Sequence, residues 1–123
     1  MAEVKRIPQW VVLEALRNNA TFLHLEKSDG TSTGQVGVAT EDFAVSTQGY
    51  DPALKLSIPQ TLTAGVGDTI TAILLYIEGT NAPTAYIGDD HDIRCPIGGV
   101  DGETFPDGGS IDVTELEVYL NDL

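Results

Sequence analysis

Five aspartates in the second half of the chain are the residues whose type and spacing could do chemistry. Asp89, Asp90 and Asp92 fall within one short run, and Asp101 and Asp107 each precede a glycine further along. Calcium takes about six to eight oxygen ligands, and carboxylates on glycine-containing loops can converge on one ion. The spacing lacks the alternating acidic positions of an EF-hand loop. The sequence therefore predicts a set of solvated acidic turns, a calcium site formed by these five aspartates, or a surface that contacts a partner.

The two histidines and the single cysteine are the other candidate reactive groups. His91 and Cys95 lie four residues apart, but Pro96 and the β-branched Ile93 favour an extended chain between them. A Cys-His nucleophile pair also needs an orienting group and an oxyanion site, and the sequence shows neither. We interpret Cys95 as a small apolar core residue. A hydrolase or isomerase that uses His24 or His91 with nearby carboxylates is the enzymatic alternative.

Sequence motifs of common enzyme classes are absent. The chain contains no G-x-S-x-G, Walker loop, dinucleotide-binding glycine fingerprint, paired-cysteine zinc motif or H-E-x-x-H. The glycine pairs at residues 34–37 and 65–67 lack a following helix that would present backbone amides to a phosphate. We therefore expect no catalytic residues, no enzymatic activity, and no cofactor apart from the calcium of the alternative above.

The charge of the chain is acidic and unevenly distributed. The 123 residues include 19 acidic and 6 basic side chains, giving a formal net charge of -13, and four of the basic ones (Lys5, Arg6, Arg17 and Lys27) lie in the first 27 residues. Binding to a nucleic-acid backbone requires clustered Lys and Arg, so nucleic acid is not an expected partner. One cysteine excludes an intramolecular disulfide. Neither an export signal nor a membrane span is indicated, because polar residues interrupt every apolar stretch.

Residues 8–18 (PQWVVLEALRN) are predicted to form a short helix, since Pro8 suits a first turn and good helix formers follow. Its apolar residues cover most of the circumference. Such a helix is buried either against a neighbouring subunit or as a cap on the domain's own core. For the first alternative we expect an interface formed by Ile7, Trp10, Val11, Leu13 and Leu16. The expected organisation is an N-terminal arm and helix over residues 1–19, followed by a β-sandwich body over residues 20–123.

From Ala20 onward the residue pattern is typical of strands. A first strand ends in the turn Ser28-Asp29-Gly30, and a second strong turn is expected at residues 64–68. Residues 69–78 (TITAILLYIE) are apolar on both faces and predict a central strand. Further strands are expected at residues 84–87, 93–97 and 111–120. The predicted fold class is mainly β, an antiparallel β-sandwich or jelly-roll-like barrel with one short N-terminal helix.

Three segments together resemble small β-rich virion proteins of tailed bacteriophages, of the capsid decoration or cement type. They are residues 6–10 (RIPQW) leading into the helix, the strand 22–25 (FLHL) with its Ser-Asp-Gly turn, and residues 64–77 (AGVGDTITAILLYI). The resemblance implies a short N-terminal arm joined to a sandwich that assembles into trimers or other rings. It also implies a partner in the major capsid protein or another virion protein, and assembly into the virion in the host cytoplasm. It implies no active-site residues.

A decoration protein binds a repetitive lattice through many symmetric copies, so the expected absence of catalytic motifs agrees with this function. Trp10 is the expected anchor, because buried aromatic residues dominate interface energetics. Lys5 and Arg6 could contact an acidic shell. The principal hypothesis is thus a non-enzymatic, homo-oligomeric virion protein of the head, with a tail component as a variant. The alternative is a calcium-dependent or carbohydrate-binding β module that uses the five aspartates.

Overall fold

The computed structural model describes residues 9–46, 52–79, 91–96 and 102–119, apart from the side chains of Gln9 and His91. Within these ranges the chain forms one α-helix, one short 3₁₀ helix at Thr40–Asp42 and ten strands. The elements in chain order are α1 (Gln9–Asn19), β1 (Ala20–Lys27), β2 (Ser32–Gly37), β3 (Phe43–Ser46), β4 (Ala53–Leu56), β5 (Gln60–Ala64), β6 (Asp68–Ile77), β7 (His91–Pro96), β8 (Glu103–Phe105), β9 (Gly109–Val113) and β10 (Glu117–Tyr119). The strand predicted at residues 84–87 lies outside the described residues.

The described strands form three sheets in which every pair is antiparallel. A five-stranded sheet has the order β2-β1-β6-β7, with β8 also paired to β6; a three-stranded sheet has the order β10-β4-β3; and β5 pairs with β9. The arrangement is sandwich-like and is not a closed barrel. The predicted mainly β, antiparallel fold with an N-terminal helix is therefore confirmed.

Strand β6 is the centre of the five-stranded sheet, as its two apolar faces predicted. It pairs with β1 along one edge and with β7 and β8 along the other. The register shifts between the pairs Glu26–Ala72 and Lys27–Ile70, which places an extra residue, Thr71, in β6. A bulge of this kind resets the alternation of side chains. Its consequence is that Ile70 joins the core cluster that also contains Leu75.

The turn expected at residues 64–68 is a corner at which a ribbon of two paired strands bends. Ala64 pairs with Gly109 in the β5–β9 ladder, and Asp68 pairs with Phe105 in the β6–β8 ladder, so three residues of each strand lie between the two ladders. The N–H of Gly67 donates to the carbonyl of Phe105 at 2.8 Å within this corner. Bends of this type pass strands from one sheet to another. The sequence had predicted a turn here but neither β5 nor β8.

The prediction of a single strand over residues 111–120 is wrong. The chain forms two strands there, since β9 pairs with β5 while β10 pairs with β4 in a different sheet. Between them the carbonyl of Leu116 accepts the N–H of Leu56 at 2.9 Å. Leu116 and Val118 are buried. Sequence periodicity alone could not locate the break, because which strand each half pairs with depends on the tertiary fold.

Helix α1 packs against β3 and β4 as part of the folded body. Leu13 and Leu16 belong to the main core cluster. Arg17 fixes the C-terminal end of the helix, because its Nε donates to the carbonyls of Thr40 at 3.1 Å and Phe43 at 2.8 Å. The predicted boundary after residue 19, between the N-terminal arm with its helix and the β-sandwich body, thus lies between the helix and a core to which the helix contributes. No described helix has the length and apolar character needed to cross a membrane.

Candidate functional site

The two described aspartates of the alternative calcium site are not brought together. Asp92 lies on β7 opposite Tyr76, near the end of β6, whereas Asp107 lies in the corner two residues after Phe105, which pairs with Asp68 at the start of β6. Eight residues of strand separate these positions, about 26 Å. The two carboxylates therefore cannot ligate one ion. Asp89, Asp90 and Asp101 lie outside the described residues, and within those residues no group of three or more His, Cys, Asp or Glu could hold a metal.

The side chain of Asp92 instead forms a pair with His24. Nε2 of His24, on β1, lies 2.7 Å from Oδ1 of Asp92, on β7, across the intervening strand β6. His24 is 9% exposed. A buried imidazole needs a hydrogen-bond partner, and this carboxylate provides one. The two residues are 68 positions apart in the sequence, and no local pattern could have indicated their contact.

A second pair lies beside the first on the same face of the sheet. Nε of Arg94, on β7, donates to Oε1 of Glu26, on β1, at 2.9 Å. The hydroxyl of Thr71 donates to the same oxygen at 2.8 Å. The Thr71 hydrogen bond, followed by the Arg94 hydrogen bond and charge, lowers the pKa of Glu26 below its ordinary value of 4.5. The carboxylate is therefore held in its ionised form. We refer to the His24–Asp92 and Glu26–Arg94 pairs as the two cross-strand pairs.

Aromatic rings adjoin the first pair. The rings of Phe22 and Tyr76 stack with centroids 4.5 Å apart and planes 3° from parallel, and the ring of Phe22 meets His24 edge-on at 5.0 Å. A carboxylate behind an imidazole is an arrangement that also orients catalytic histidines. Among the described residues, however, no serine, threonine or cysteine is hydrogen bonded to the His24 ring. In the described chain this arrangement links β7 to β1 across β6.

The predicted interface residues divide into two groups. Trp10 is 46% exposed and Val11 is partly exposed. Leu13 and Leu16 are 0% and 1% exposed and pack in the chain's own core. The expectation that these two leucines contact a neighbouring subunit is corrected, because they have no surface to offer; the helix caps its own core at these positions. Ile7 lies outside the described residues.

A groove of about 390 Å³ opens between the edges of two sheets, where β7 and β10 face each other. The described residues that line it are Ile93, Arg94, Cys95, Pro96, Glu117 and Val118. Ile93 and Val118 are buried, whereas Arg94, Pro96 and Glu117 are exposed. Sequence reasoning missed this groove, because its two walls are about 20 residues apart in the chain and carry no motif. Cys95, which was expected in the core, is partly buried, packs against the core cluster and also lines the groove; it is not in a disulfide.

Protein-family profiles, curated proteins and solved structures all give no match to this chain.

Proposed function

We propose that this protein is a non-enzymatic structural component of a virus particle, of the capsid decoration type found in tailed bacteriophages. It binds the head shell as a homo-oligomer. The observation that carries the proposal is the exposure of Trp10 on a helix whose residues Val12, Leu13 and Leu16 are buried. A large aromatic side chain left half exposed on a fixed element is typical of a binding anchor.

The helix holds Trp10 in a defined position. Leu13 and Leu16 are buried in the core behind it, and the Arg17 side chain ties the last turn to two backbone carbonyls. A helix that is already ordered avoids the cost of ordering its backbone on binding, which favours affinity. The backbone at Trp10 is thus preorganised to contact a partner.

The distribution of charge supports the same function. The chain carries a formal net charge of -13, while Lys5 and Arg6 stand just before Trp10 in the sequence. Like charge keeps separate copies of an acidic protein apart in solution. A basic segment next to the anchor favours an acidic shell as the partner surface and raises the rate of encounter with it.

The test uses particles purified on a density gradient from a lysate of the host that carries the gene. Mass spectrometry of these particles is expected to find the chain in many copies per particle. Particles depleted of the chain should rebind the purified full-length protein, and the Trp10→Ala variant should rebind at least tenfold more weakly. Val66→Ala is the matched control, because Val66 is 79% exposed but lies at the corner of the ribbon.

Two results would contradict the proposal. The chain could be missing from purified particles, or the Trp10→Ala and Val66→Ala variants could rebind equally well to depleted particles. The first result would exclude a virion component, and the second would show that Trp10 is not the anchor.

A further inference from the structure

We propose that β7 is a protective edge strand that opens separately from the rest of the fold, and that the two cross-strand pairs hold it closed against the central strand β6. The opening is a reaction within one chain and is independent of the proposed function. The open state differs from the globally unfolded state, because the other described strands keep their partners in it.

Strand β7 is attached along one side only, as far as the structure describes it. It stands at the end of the order β2-β1-β6-β7, and its described ladder joins it to β6 alone. Strands β1 and β6, in contrast, have ladders on both sides. Local opening occurs where a segment has few stabilising contacts. Detaching β7 therefore breaks one ladder and leaves every other described strand pair intact.

The side chains of β7 contribute little apolar burial to its attachment. Ile93 is 4% exposed and belongs to the core cluster, and Cys95 is partly buried against that cluster. Asp92, Arg94 and Pro96 are exposed. Hydrophobic stabilisation is roughly proportional to the apolar area removed from water. Burial alone therefore attaches this strand weakly.

The two cross-strand pairs add the side-chain contacts that burial does not supply, and both reach past β6 to β1. Nε2 of His24, which is 9% exposed, lies 2.7 Å from Oδ1 of Asp92. Oε1 of Glu26 accepts Nε of Arg94 at 2.9 Å. Removing the partner of a buried polar group costs more than breaking an exposed ion pair. The His24–Asp92 pair is therefore the stronger of the two restraints on β7.

The closed β7 covers a strand that is prone to pair with other chains. Most residues of β6 are buried, and the segment is rich in apolar and β-branched side chains. Such a segment with an uncovered ladder edge is a template for aggregation. Strand β7 instead presents Asp92, Arg94 and a terminal Pro96, and charges and proline are features that block pairing at sheet edges. Opening of β7 uncovers the edge of β6 over residues 72–77.

Hydrogen exchange of backbone amides in the full-length protein tests the opening. Exchange is followed by NMR at several urea concentrations below the unfolding transition. The amides that bond β7 to β6 should exchange faster than those that bond β1 to β6, and their exchange should respond little to urea, because a local opening exposes little surface. The β1–β6 amides should show the urea dependence of global unfolding. Equal rates and equal urea dependence in the two sets would overturn the inference.

Two variants and a matched control identify the restraint. Asp92→Ala should accelerate exchange of the β7–β6 amides about fivefold or more, and Arg94→Ala about twofold. Val113→Ala is the control, since it leaves a small cavity at a buried position of β9, in a different sheet. It should accelerate the β1–β6 amides and leave the β7–β6 amides unchanged. Equal acceleration of both sets in Val113→Ala, or unchanged β7–β6 exchange in Asp92→Ala, would contradict a separate opening held closed by the pairs.

The protective role of β7 has a readout of its own. At equal protein concentration, Asp92→Ala should form light-scattering aggregates several-fold faster than Val113→Ala, because it weakens the closure of β7 over the edge of β6. Arg94→Ala should fall between the wild type and Asp92→Ala. If Asp92→Ala aggregates no faster than Val113→Ala, β7 does not protect the central strand.

Discussion

His24 and Asp92 meet across the central strand of the sheet, with 2.7 Å between Nε2 and Oδ1. The register places His24 beside Leu74 and Leu74 beside Arg94, so the residue directly across from His24 is a cation. The imidazole instead contacts the carboxylate two residues earlier on β7. The Glu26–Arg94 pair slants in the same direction by the same step. The slant thus matches each side chain with a partner of suitable charge and ties β7 to β1 twice.

Replacing Asp92 by alanine is expected to destabilise the fold. The buried His24 ring would lose its hydrogen-bond partner, which costs about 1–3 kcal/mol. Urea denaturation measures the change in the free energy of unfolding. Asp107→Ala is the control, because Asp107 is exposed in the corner and should change stability by less than about 0.5 kcal/mol. Equal effects of the two substitutions would show that the His24–Asp92 contact contributes nothing.

Glu26 should make the fold sensitive to acid. Its pKa is lower in the folded protein than its ordinary value of 4.5, so the ionised carboxylate stabilises the fold above that value. This contribution is lost as the pH falls through the lowered pKa. The Glu26→Gln variant is therefore expected to lose less stability than the wild type when the pH falls below about 4.5. A series of urea midpoints against pH measures the slope, and an identical slope in both proteins would contradict the assignment.

Gly34 and Gly37 lie in the same strand, β2, but should respond differently to alanine. The φ of Gly34 is +69°, and an added Cβ would stand 2.6 Å from the carbonyl oxygen of Thr63. Strain and the clash with β5 are expected to cost about 2 kcal/mol or more. A Cβ on Gly37 meets nothing within 4 Å. Gly37→Ala should therefore leave the melting temperature nearly unchanged, and a comparable loss in both variants would argue against this close approach of β5 to β2.

Alanine substitutions at Leu13 and Trp10 should separate effects on stability from effects on binding. Leu13 is fully buried, so Leu13→Ala is expected to lower the free energy of unfolding by about 2–5 kcal/mol. Trp10 is half exposed, so Trp10→Ala should cost much less stability while weakening binding to depleted particles. Calorimetry and the particle-rebinding measurement on the two variants measure both properties. A Trp10→Ala variant as unstable as Leu13→Ala would show that the tryptophan is mainly a core residue.

Replacing Arg17 by either alanine or lysine is expected to destabilise the fold. Its Nε donates to two carbonyls, and hydrogen bonds from a charged donor contribute about 1.5–3 kcal/mol when both partners are partly buried. Lysine keeps the charge but cannot reproduce the planar donor geometry. Both variants are expected to lower the melting temperature, and hydrogen exchange in α1 should increase. A lysine variant with unchanged exchange would mean that charge alone suffices.

Local sequence patterns predicted much of the secondary structure. The helix starting near Gln9, the change to strand at Ala20 and the central strand β6 follow from periodicity and from apolar residues on both faces, which are properties of neighbouring residues. The turn at Gly30 follows from a Ser-Asp-Gly sequence that permits its φ of +87°. Strand β5 was missed because it is short and only two of its residues, Leu62 and Ala64, are apolar and buried.

The sequence by itself determined an acidic, mainly antiparallel β protein with a helix near its start, because composition and side-chain period act over a few residues at a time. Only the tertiary structure decided that His24 meets Asp92, that Asp92 and Asp107 lie apart, and that Leu13 is buried while Trp10 is exposed. The groove between β7 and β10 is likewise a feature that only the tertiary structure decided. Contacts between residues distant in sequence depend on strand order and register, and these are set by the packing of the whole chain.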